Sequence, residues 1–148
     1  MKVLLIRHAH AVDQDGPGPD EARHLTARGR SVARRVGERL LAKGIHIDAL
    51  VTSPLVRAVQ TAELVAHGAR YGGEIEALVA LEPGASPRQV AAALAKLGDV
   101  VAAVGHEPGL SVLAALLAGR ASHPPLKKAQ VVIVDGGKLV GSLDPDEP

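Results

Sequence analysis

Short apolar runs recur along the chain, and a longer segment with helical spacing separates each run from the next. The runs cover residues 3–6, 48–52, 75–81 and 100–104. They consist mainly of aliphatic and β-branched residues with little polar alternation, which is typical of strands buried on both faces of a parallel sheet. The pattern therefore predicts parallel strands that are connected by helices.

Helix signals occupy the segments between the runs. Thr26 precedes a segment in which Val32, Val36 and Leu40 repeat at helical spacing, as expected of an N-cap followed by a buried stripe. Three further helices are predicted. One has Pro54 in its first turn, one follows the N-cap Ser86 and runs through Leu97, and one follows Pro108.

Strands that alternate with helices predict an α/β fold. Residues 129–135 and 138–143, around Gly136-Gly137, have the pattern of a β-hairpin. We therefore expect a three-layer α/β/α architecture with a mostly parallel central sheet and a C-terminal hairpin, formed by residues 1–148 as a single domain. The Gly- and Pro-rich loop at 13–20 has no periodicity and is expected to border the functional site.

Reactive and charged residues directly follow the predicted strands. They are Arg7 and His8 after the first strand, Ser53 and Arg57 after the second, Glu82 after the third, and His106 after the fourth. Because the carboxyl ends of parallel strands meet at one edge of a sheet, we expect one pocket of guanidiniums and imidazoles with a carboxylate beside it. Taken singly, Arg7-His8 equally fits a buried strand followed by a solvated loop, and Arg57 fits an ordinary surface arginine.

The composition excludes several classes of function. Hydrophobic residues make up 47% of the chain, yet it has no Phe or Trp and a single Tyr, so stacking on nucleic-acid bases is disfavoured. The net charge of +1 gives no field of the kind that nucleic-acid-binding proteins use. There is no cysteine for a disulfide, and no apolar segment long enough for a membrane span or an export signal. We therefore expect a cytoplasmic protein with neither nucleic-acid nor membrane partners.

A pocket of this composition suits phosphoryl transfer. That reaction requires an aligned nucleophile and positive charge around the equatorial oxygens of phosphorus, and this set of residues supplies both without a metal ion. His8, His10 and His24 have no carboxylate at a metal-binding spacing. We therefore expect no metal and no cofactor, and we interpret His10 and His24 as loop histidines.

Three motifs at the strand ends resemble the histidine phosphatase superfamily, also called the phosphoglycerate-mutase-like family. Leu5-Ile6-Arg7-His8 is similar to its Arg-His-Gly signature, residues 53–61 to its second arginine segment, and Val104-Gly105-His106 to its second histidine. The resemblance covers nearly the whole chain. The short length, Ala9 in place of Gly, residues 23–29 and Gly105-His106-Glu107-Pro108 resemble in particular the SixA-type bacterial phosphohistidine phosphatases.

The resemblance implies that His8 is the nucleophile, which becomes a transient phosphohistidine that water then hydrolyses. Arg7, Arg57 and His106 would bind the phosphoryl oxygens. The two flanking guanidiniums should lower the pKa of His8 and keep its ring neutral.

The other candidates are less well matched to the family pattern. Glu82 lies near the position of an acidic proton donor in larger members, but here Pro83-Gly84 follows it and the match is poor. Arg23, Ser53 and Gly105 are candidates for substrate binding, and a structural salt bridge is an equally good interpretation of Arg23.

The leading interpretation is a metal-independent phosphatase acting on phosphohistidine in a protein, such as a histidine phosphotransfer domain, with phosphate, sulfate or vanadate as site ligands. A phosphatase of small phosphate esters differs only in the walls of the pocket. Phosphoglycerate mutase activity is disfavoured, since the short chain leaves little room for the insertions that hold a bisphosphate. A non-catalytic module that binds phosphate or phosphohistidine is disfavoured by the intact Arg7, His8, Arg57 and His106.

Overall fold

The computed structural model describes residues 1–13 and 18–147. The strands in this part of the chain are β1 (Lys2–Arg7), β2 (Ala49–Thr52), β3 (Ile75–Ala77), β4 (Val100–Gly105), β5 (Val131–Asp135) and β6 (Lys138–Leu143). The helices are α1 (Ala27–Ala42), α2 (Val56–Ala69), α3 (Pro87–Leu94) and α4 (Gly109–Leu117). Residues 14–17 of the predicted Gly- and Pro-rich loop lie outside the described residues.

One sheet has the strand order β3-β2-β4-β1-β5-β6. Neighbours among β1 to β4 are parallel, whereas β5 pairs antiparallel with both β1 and β6. The predicted α/β class, the mostly parallel sheet and the C-terminal hairpin are therefore confirmed. In the central pair, Arg7 is in register with Gly105, so the residues that follow β1 and β4 emerge side by side.

The sheet separates two hydrophobic cores. Leu4 and Ile6 belong to the core that α1 and α2 cover, and Val3 and Leu5 belong to the core that α3 and α4 cover. Helices on both faces complete the three layers and explain why β1 is an unbroken apolar run. No helix in the described ranges has the length and apolar character needed to cross a bilayer.

Several predicted boundaries are wrong, and β5 begins at Val131 rather than at residue 129. The helix predicted from Pro54 begins at Val56, because Ser53 Oγ accepts the backbone N–H of Leu55 (3.2 Å) and Leu55 becomes the N-cap. The third strand stops at Ala77 rather than at residue 81, since its neighbour β2 ends at Thr52 and leaves nothing to pair with. The third helix ends at residue 94 rather than 97, as the chain turns there to enter β4.

Glycines bring α1 and α2 into close contact. A Cβ atom on Gly37 would overlap the backbone oxygen of Val65, and one on Gly68 would overlap that of Arg34. Because these oxygens belong to helix backbones, neither can move without displacing its helix. The contact matters for the site, since α2 carries Arg57 and Thr61.

We expect Gly37→Ala to destabilise the fold. In an exposed helix interior, replacing glycine by alanine stabilises the helix by about 1 kcal/mol. Here the added methyl group would overlap backbone atoms of the other helix, and overpacking of this kind lowers the free energy of unfolding by about 1–3 kcal/mol. Urea unfolding followed by circular dichroism measures the change. Gly109→Ala is the control, because nothing lies within 4 Å of a Cβ at that position of α4. A Gly37→Ala variant as stable as the parent would contradict the close contact.

Candidate active site

His8 is the first residue after β1, and its ring is held in one orientation. Its backbone N–H donates to Gly105 O (3.1 Å), which continues the β1–β4 pairing. His8 Nδ1 lies 2.9 Å from Ala9 O. Since a carbonyl oxygen only accepts, Nδ1 carries the proton and the neutral ring presents its lone pair at Nε2. This is the form of imidazole that acts as a nucleophile.

The backbone of Ala9 is held by α2. The Ala9 backbone N–H donates to Thr61 Oγ1 (3.0 Å), and the Thr61 hydroxyl donates to Arg57 O one helical turn earlier (2.8 Å). Thr61 is fully buried. The helix that supplies Arg57 therefore also anchors the backbone of Ala9, the residue whose carbonyl holds the His8 ring.

His106 follows β4 and faces His8. The two ring centroids are 5.2 Å apart and the planes are tilted by 53°. His106 Nε2 lies 2.8 Å from Ser53 Oγ, which also accepts the Leu55 N–H. The hydroxyl proton of Ser53 is thus available to Nε2, and the proton of a neutral His106 ring is assigned to Nδ1.

Each arginine of the site is held by a backbone carbonyl. Arg7 Nη1 donates to Leu126 O (2.8 Å), and Arg57 Nη1 donates to Asp20 O (3.0 Å). Arg57 is only 5% exposed, so the alternative of an ordinary surface arginine is wrong. The Nε atom of each guanidinium makes no hydrogen bond within the described residues and is available to a ligand.

Three buried N–H donors have no acceptor within the described part of the chain. They are Arg7 Nε, Arg57 Nε and His106 Nδ1. Buried polar groups in folded proteins are nearly always paired, so an unpaired group of them requires an explanation. A ligand with several negatively charged oxygens would satisfy all three donors.

Asp20 also belongs to the site, although no motif in the sequence marks it as a site residue. Its carboxylate accepts Arg57 Nη2 (3.4 Å) and Arg23 Nη1 (3.1 Å), and Arg23 Nε donates to Val12 O (2.7 Å). The hydrogen bond from Arg23, together with the charge of Arg57, holds the pKa of Asp20 below its usual value. These contacts fit the salt-bridge interpretation of Arg23, and a direct contact of Arg23 with substrate stays a prediction.

Both imidazoles of the site are kept neutral mainly by burial. Burial, reinforced by the charges of Arg57 and Arg7, lowers the pKa of His8 to about 4 although the hydrogen bond to Ala9 raises it. Burial and then the charges of His8 and Arg57 lower the pKa of His106 to about 3. The expected direction for His8 is confirmed, but burial is a larger cause than the guanidiniums.

Glu82 lies nearer to the site than its poor motif match suggests. It follows the 3-10 turn Val79–Leu81 and lines, with Gly105 and His106, a cavity of about 30 Å³. At Gly105 a Cβ atom would lie 3.3 Å from Leu110 Cδ2, so packing against α4 favours glycine. The roles of Glu82, Ser53 and Gly105 toward substrate remain predictions.

The histidines outside this group have other surroundings. His10 Nδ1 lies 2.8 Å from Thr26 Oγ1, the N-cap oxygen of α1, and His24 is exposed. Among residues 1–13 and 18–147, no three His, Cys, Asp or Glu side chains are grouped so that they could hold a metal ion.

The sequence matches the family model of the histidine phosphatase superfamily (branch 1) over residues 3–82. This chain belongs to that superfamily. The matched region includes the Arg7-His8 motif and the Arg57 segment, and β4 supplies the second histidine beside them.

Individual relatives of this histidine phosphatase agree with the assignment. An uncharacterized protein of Picosynechococcus sp. is 35% identical over 147 residues, which cover 93% of this chain and 86% of that protein. The structure of the protein histidine phosphatase SixA complexed with tungstate has a TM-score of 0.88 at 25% identity, covering 98% of this chain and 97% of that one. Mitochondrial serine/threonine-protein phosphatase Pgam5 of Drosophila persimilis is 39% identical over 69 residues, 47% of this chain but 23% of Pgam5. The similarities support a SixA-like phosphatase.

We expect the site histidines of this histidine phosphatase to titrate far below the ordinary histidine pKa of about 6.5. The ring-proton NMR signals of His8 should shift with a midpoint near pH 4 and those of His106 near pH 3, because both rings are buried beside positive charge. Spectra of His8→Ala and His106→Ala identify the signals.

The sign of the accompanying change in stability follows from the same shifts. Unfolded histidines take up protons near pH 6.5 and the folded ones do so only near pH 4 and below. The free energy of unfolding should therefore fall as the pH is lowered from about 6.5 and be fully retained above it. A His8 midpoint at pH 6 or higher would contradict the neutral, buried nucleophile.

Proposed function

We propose that this protein is a metal-independent phosphohistidine phosphatase, which removes the phosphoryl group from a histidine side chain of a protein such as a histidine phosphotransfer domain. The observation that carries the proposal is the set of buried, unpaired donors Arg7 Nε, Arg57 Nε and His106 Nδ1 beside the His8 ring. Such donors suit the equatorial oxygens of a phosphoryl group in transfer. The likeness to SixA, described as a protein histidine phosphatase, supports the same substrate class.

In the first step His8 Nε2 attacks phosphorus. A bond forms between Nε2 and phosphorus as the bond between phosphorus and the substrate imidazole nitrogen breaks, and that nitrogen takes a proton from solvent. His8 Nδ1 keeps its proton and donates it in a hydrogen bond to Ala9 O throughout, so the phosphorylated ring stays in place. Arg7, Arg57 and His106 hold the three phosphoryl oxygens, and the two guanidiniums balance their charge in the transition state.

In the second step water attacks the phosphohistidine. The new oxygen–phosphorus bond replaces the bond to Nε2, inorganic phosphate leaves with its protons shared with solvent, and His8 returns to the neutral form. Because burial lowers the pKa of His8 to about 4, the free ring is ready for the next attack at neutral pH.

The leaving group favours phosphohistidine over an alkyl phosphate. Transfer from one imidazole to another exchanges a phosphorus–nitrogen bond for a similar one, whereas an alkoxide is strongly basic and needs a proton donor. The second candidate function, a phosphatase of small phosphate esters, is favoured by one observation. Glu82 lines the cavity next to His106, where a carboxylic acid would be able to serve an ester leaving group.

His8→Ala should abolish turnover while binding of vanadate remains measurable, because covalent catalysis needs the imidazole and oxyanion binding needs the surrounding cations. Turnover is followed with phosphohistidine protein and vanadate binding by calorimetry. On the parent protein, trapped radiolabelled phosphate should be acid-labile and base-stable, as expected of phosphorus bonded to imidazole nitrogen. Turnover retained by His8→Ala, or label that survives acid, would contradict the mechanism.

A substrate panel distinguishes the two candidate functions. We expect kcat/KM to be highest for phosphohistidine protein, intermediate for activated aryl phosphates and lowest for alkyl phosphates, following their need for a proton donor. Glu82→Gln should hardly change the phosphohistidine reaction, and Glu76→Gln on the exposed part of β3 is its matched control. The function would be that of an ester phosphatase if an alkyl phosphate were the best substrate and Glu82→Gln slowed its hydrolysis by roughly 10²- to 10⁴-fold, the effect expected from loss of a general acid.

A further inference from the structure

Both carboxylate oxygens of Glu107 are bonded to backbone N–H groups. Oε1 accepts the N–H of Ser111 in the first turn of α4 (2.8 Å), and Oε2 accepts the N–H of Leu126 in the segment before β5 (3.2 Å). Glu107 is half-buried and directly follows His106. This side chain therefore ties the turn that carries His106 to a segment 19 residues further along the chain.

Leu126 connects Glu107 to Arg7. Its side chain is buried, and its carbonyl accepts Arg7 Nη1 (2.8 Å). The same segment also bonds the end of β1, because the Ala129 N–H donates to Arg7 O (3.0 Å) and the Arg7 N–H donates to Gln130 O (3.1 Å). Backbone and guanidinium of Arg7 are thus both positioned by residues 126–130.

The stretch from α4 to β5 contains no helix or strand, so its placement depends on individual contacts such as these. A hydrogen bond from a backbone N–H to a carboxylate is charge-assisted and among the stronger ones in proteins. In the Arg57 half of the site a carboxylate has a comparable place, since Asp20 contributes both the anchoring carbonyl and a carboxylate contact.

We propose that Glu107 is a positioning residue, which sets the Arg7 guanidinium for phosphoryl transfer by fixing the Leu126 carbonyl to the turn after His106. Glu107 itself touches neither the phosphoryl group nor His8. Without its carboxylate the Leu126 carbonyl loses its place, and Arg7 Nε no longer meets the phosphoryl oxygen at the right distance. The inference rests on the proposed function, because it assigns Arg7 to that reaction.

A double-mutant cycle tests the link to Arg7, with kcat/KM measured on an activated aryl phosphate and on phosphohistidine protein. Arg7→Ala should cost roughly 10²-fold or more, as for a lost electrostatic donor. Glu107→Ala should cost roughly 10- to 100-fold, the size of effect expected from a misplaced catalytic group. The double variant should match Arg7→Ala within about twofold, because removing the guanidinium leaves Glu107 nothing to position.

Asp48→Ala is the matched control, because the Asp48 carboxylate also accepts a hydrogen bond from a backbone N–H. Asp48 Oδ2 accepts the Val100 N–H (2.9 Å) at the start of β4, the strand whose other end leads to His106. We expect this variant to lower the thermal unfolding midpoint and to leave kcat/KM within about twofold of the parent. Glu107→Gln retains a carbonyl acceptor for one of the two N–H groups, and the cycle is run with it if Glu107→Ala does not fold.

The outcomes separate this inference from the function on which it rests. If the losses of Arg7→Ala and Glu107→Ala or Glu107→Gln multiply, Glu107 acts independently of Arg7 and the inference is overturned while the proposed function stands. The same holds if Asp48→Ala reduces kcat/KM as much as the Glu107 variants do. An Arg7→Ala variant with full activity would overturn both.

Discussion

Burial of positive charge without a matching negative charge is the constraint on which the site depends. Among the described residues Arg7 has no ion pair, and the Arg57 side chain, 6% exposed, meets only one carboxylate oxygen, at 3.4 Å. A buried cation is unfavourable unless it is paired and hydrogen-bonded. The backbone carbonyls of Leu126 and Asp20 satisfy one nitrogen of each guanidinium and leave both Nε atoms unpaired. Binding of an oxyanion would therefore pair buried donors that the fold leaves without partners in the described part of the chain.

The state of the imidazoles follows from that constraint. A proton on His8 or His106 would add a third positive charge to a pocket that already holds the half-buried Arg7 and the buried Arg57, and burial alone disfavours the charged ring. The rings face each other at 5.2 Å, so each would also oppose protonation of the other. Burial is the larger cause of the neutral nucleophile, and the positive charges that attract anions to the pocket reinforce it, so no separate base is needed to activate it.

The sequence was sufficient for the parts of the site that depend on strand ends. Register between β1 and β4 places Arg7 opposite Gly105, and any parallel pair ending in these motifs brings His8 and His106 together. Sequence could not identify Leu126, because a backbone carbonyl has no residue signature and lies 119 positions from the arginine it binds. The contacts of Asp20 and Glu107 could not be predicted for a related reason, since their partners are set by loop paths. The length of β3 was also missed, because it depends on where its neighbour β2 ends.

Ala9 replaces the glycine of the Arg-His-Gly signature, and the structure shows why the position tolerates it. The site uses only the backbone of this residue, whose carbonyl accepts His8 Nδ1 and whose N–H donates to Thr61 Oγ1. The backbone of Ala9 does not have a positive φ, so its side chain introduces no strain of the kind that favours glycine. Its methyl group is fully buried in the core beneath α1 and α2. The substitution therefore adds apolar burial and preserves the orientation of the nucleophile, since that orientation depends on a backbone carbonyl and N–H that every residue type except proline provides.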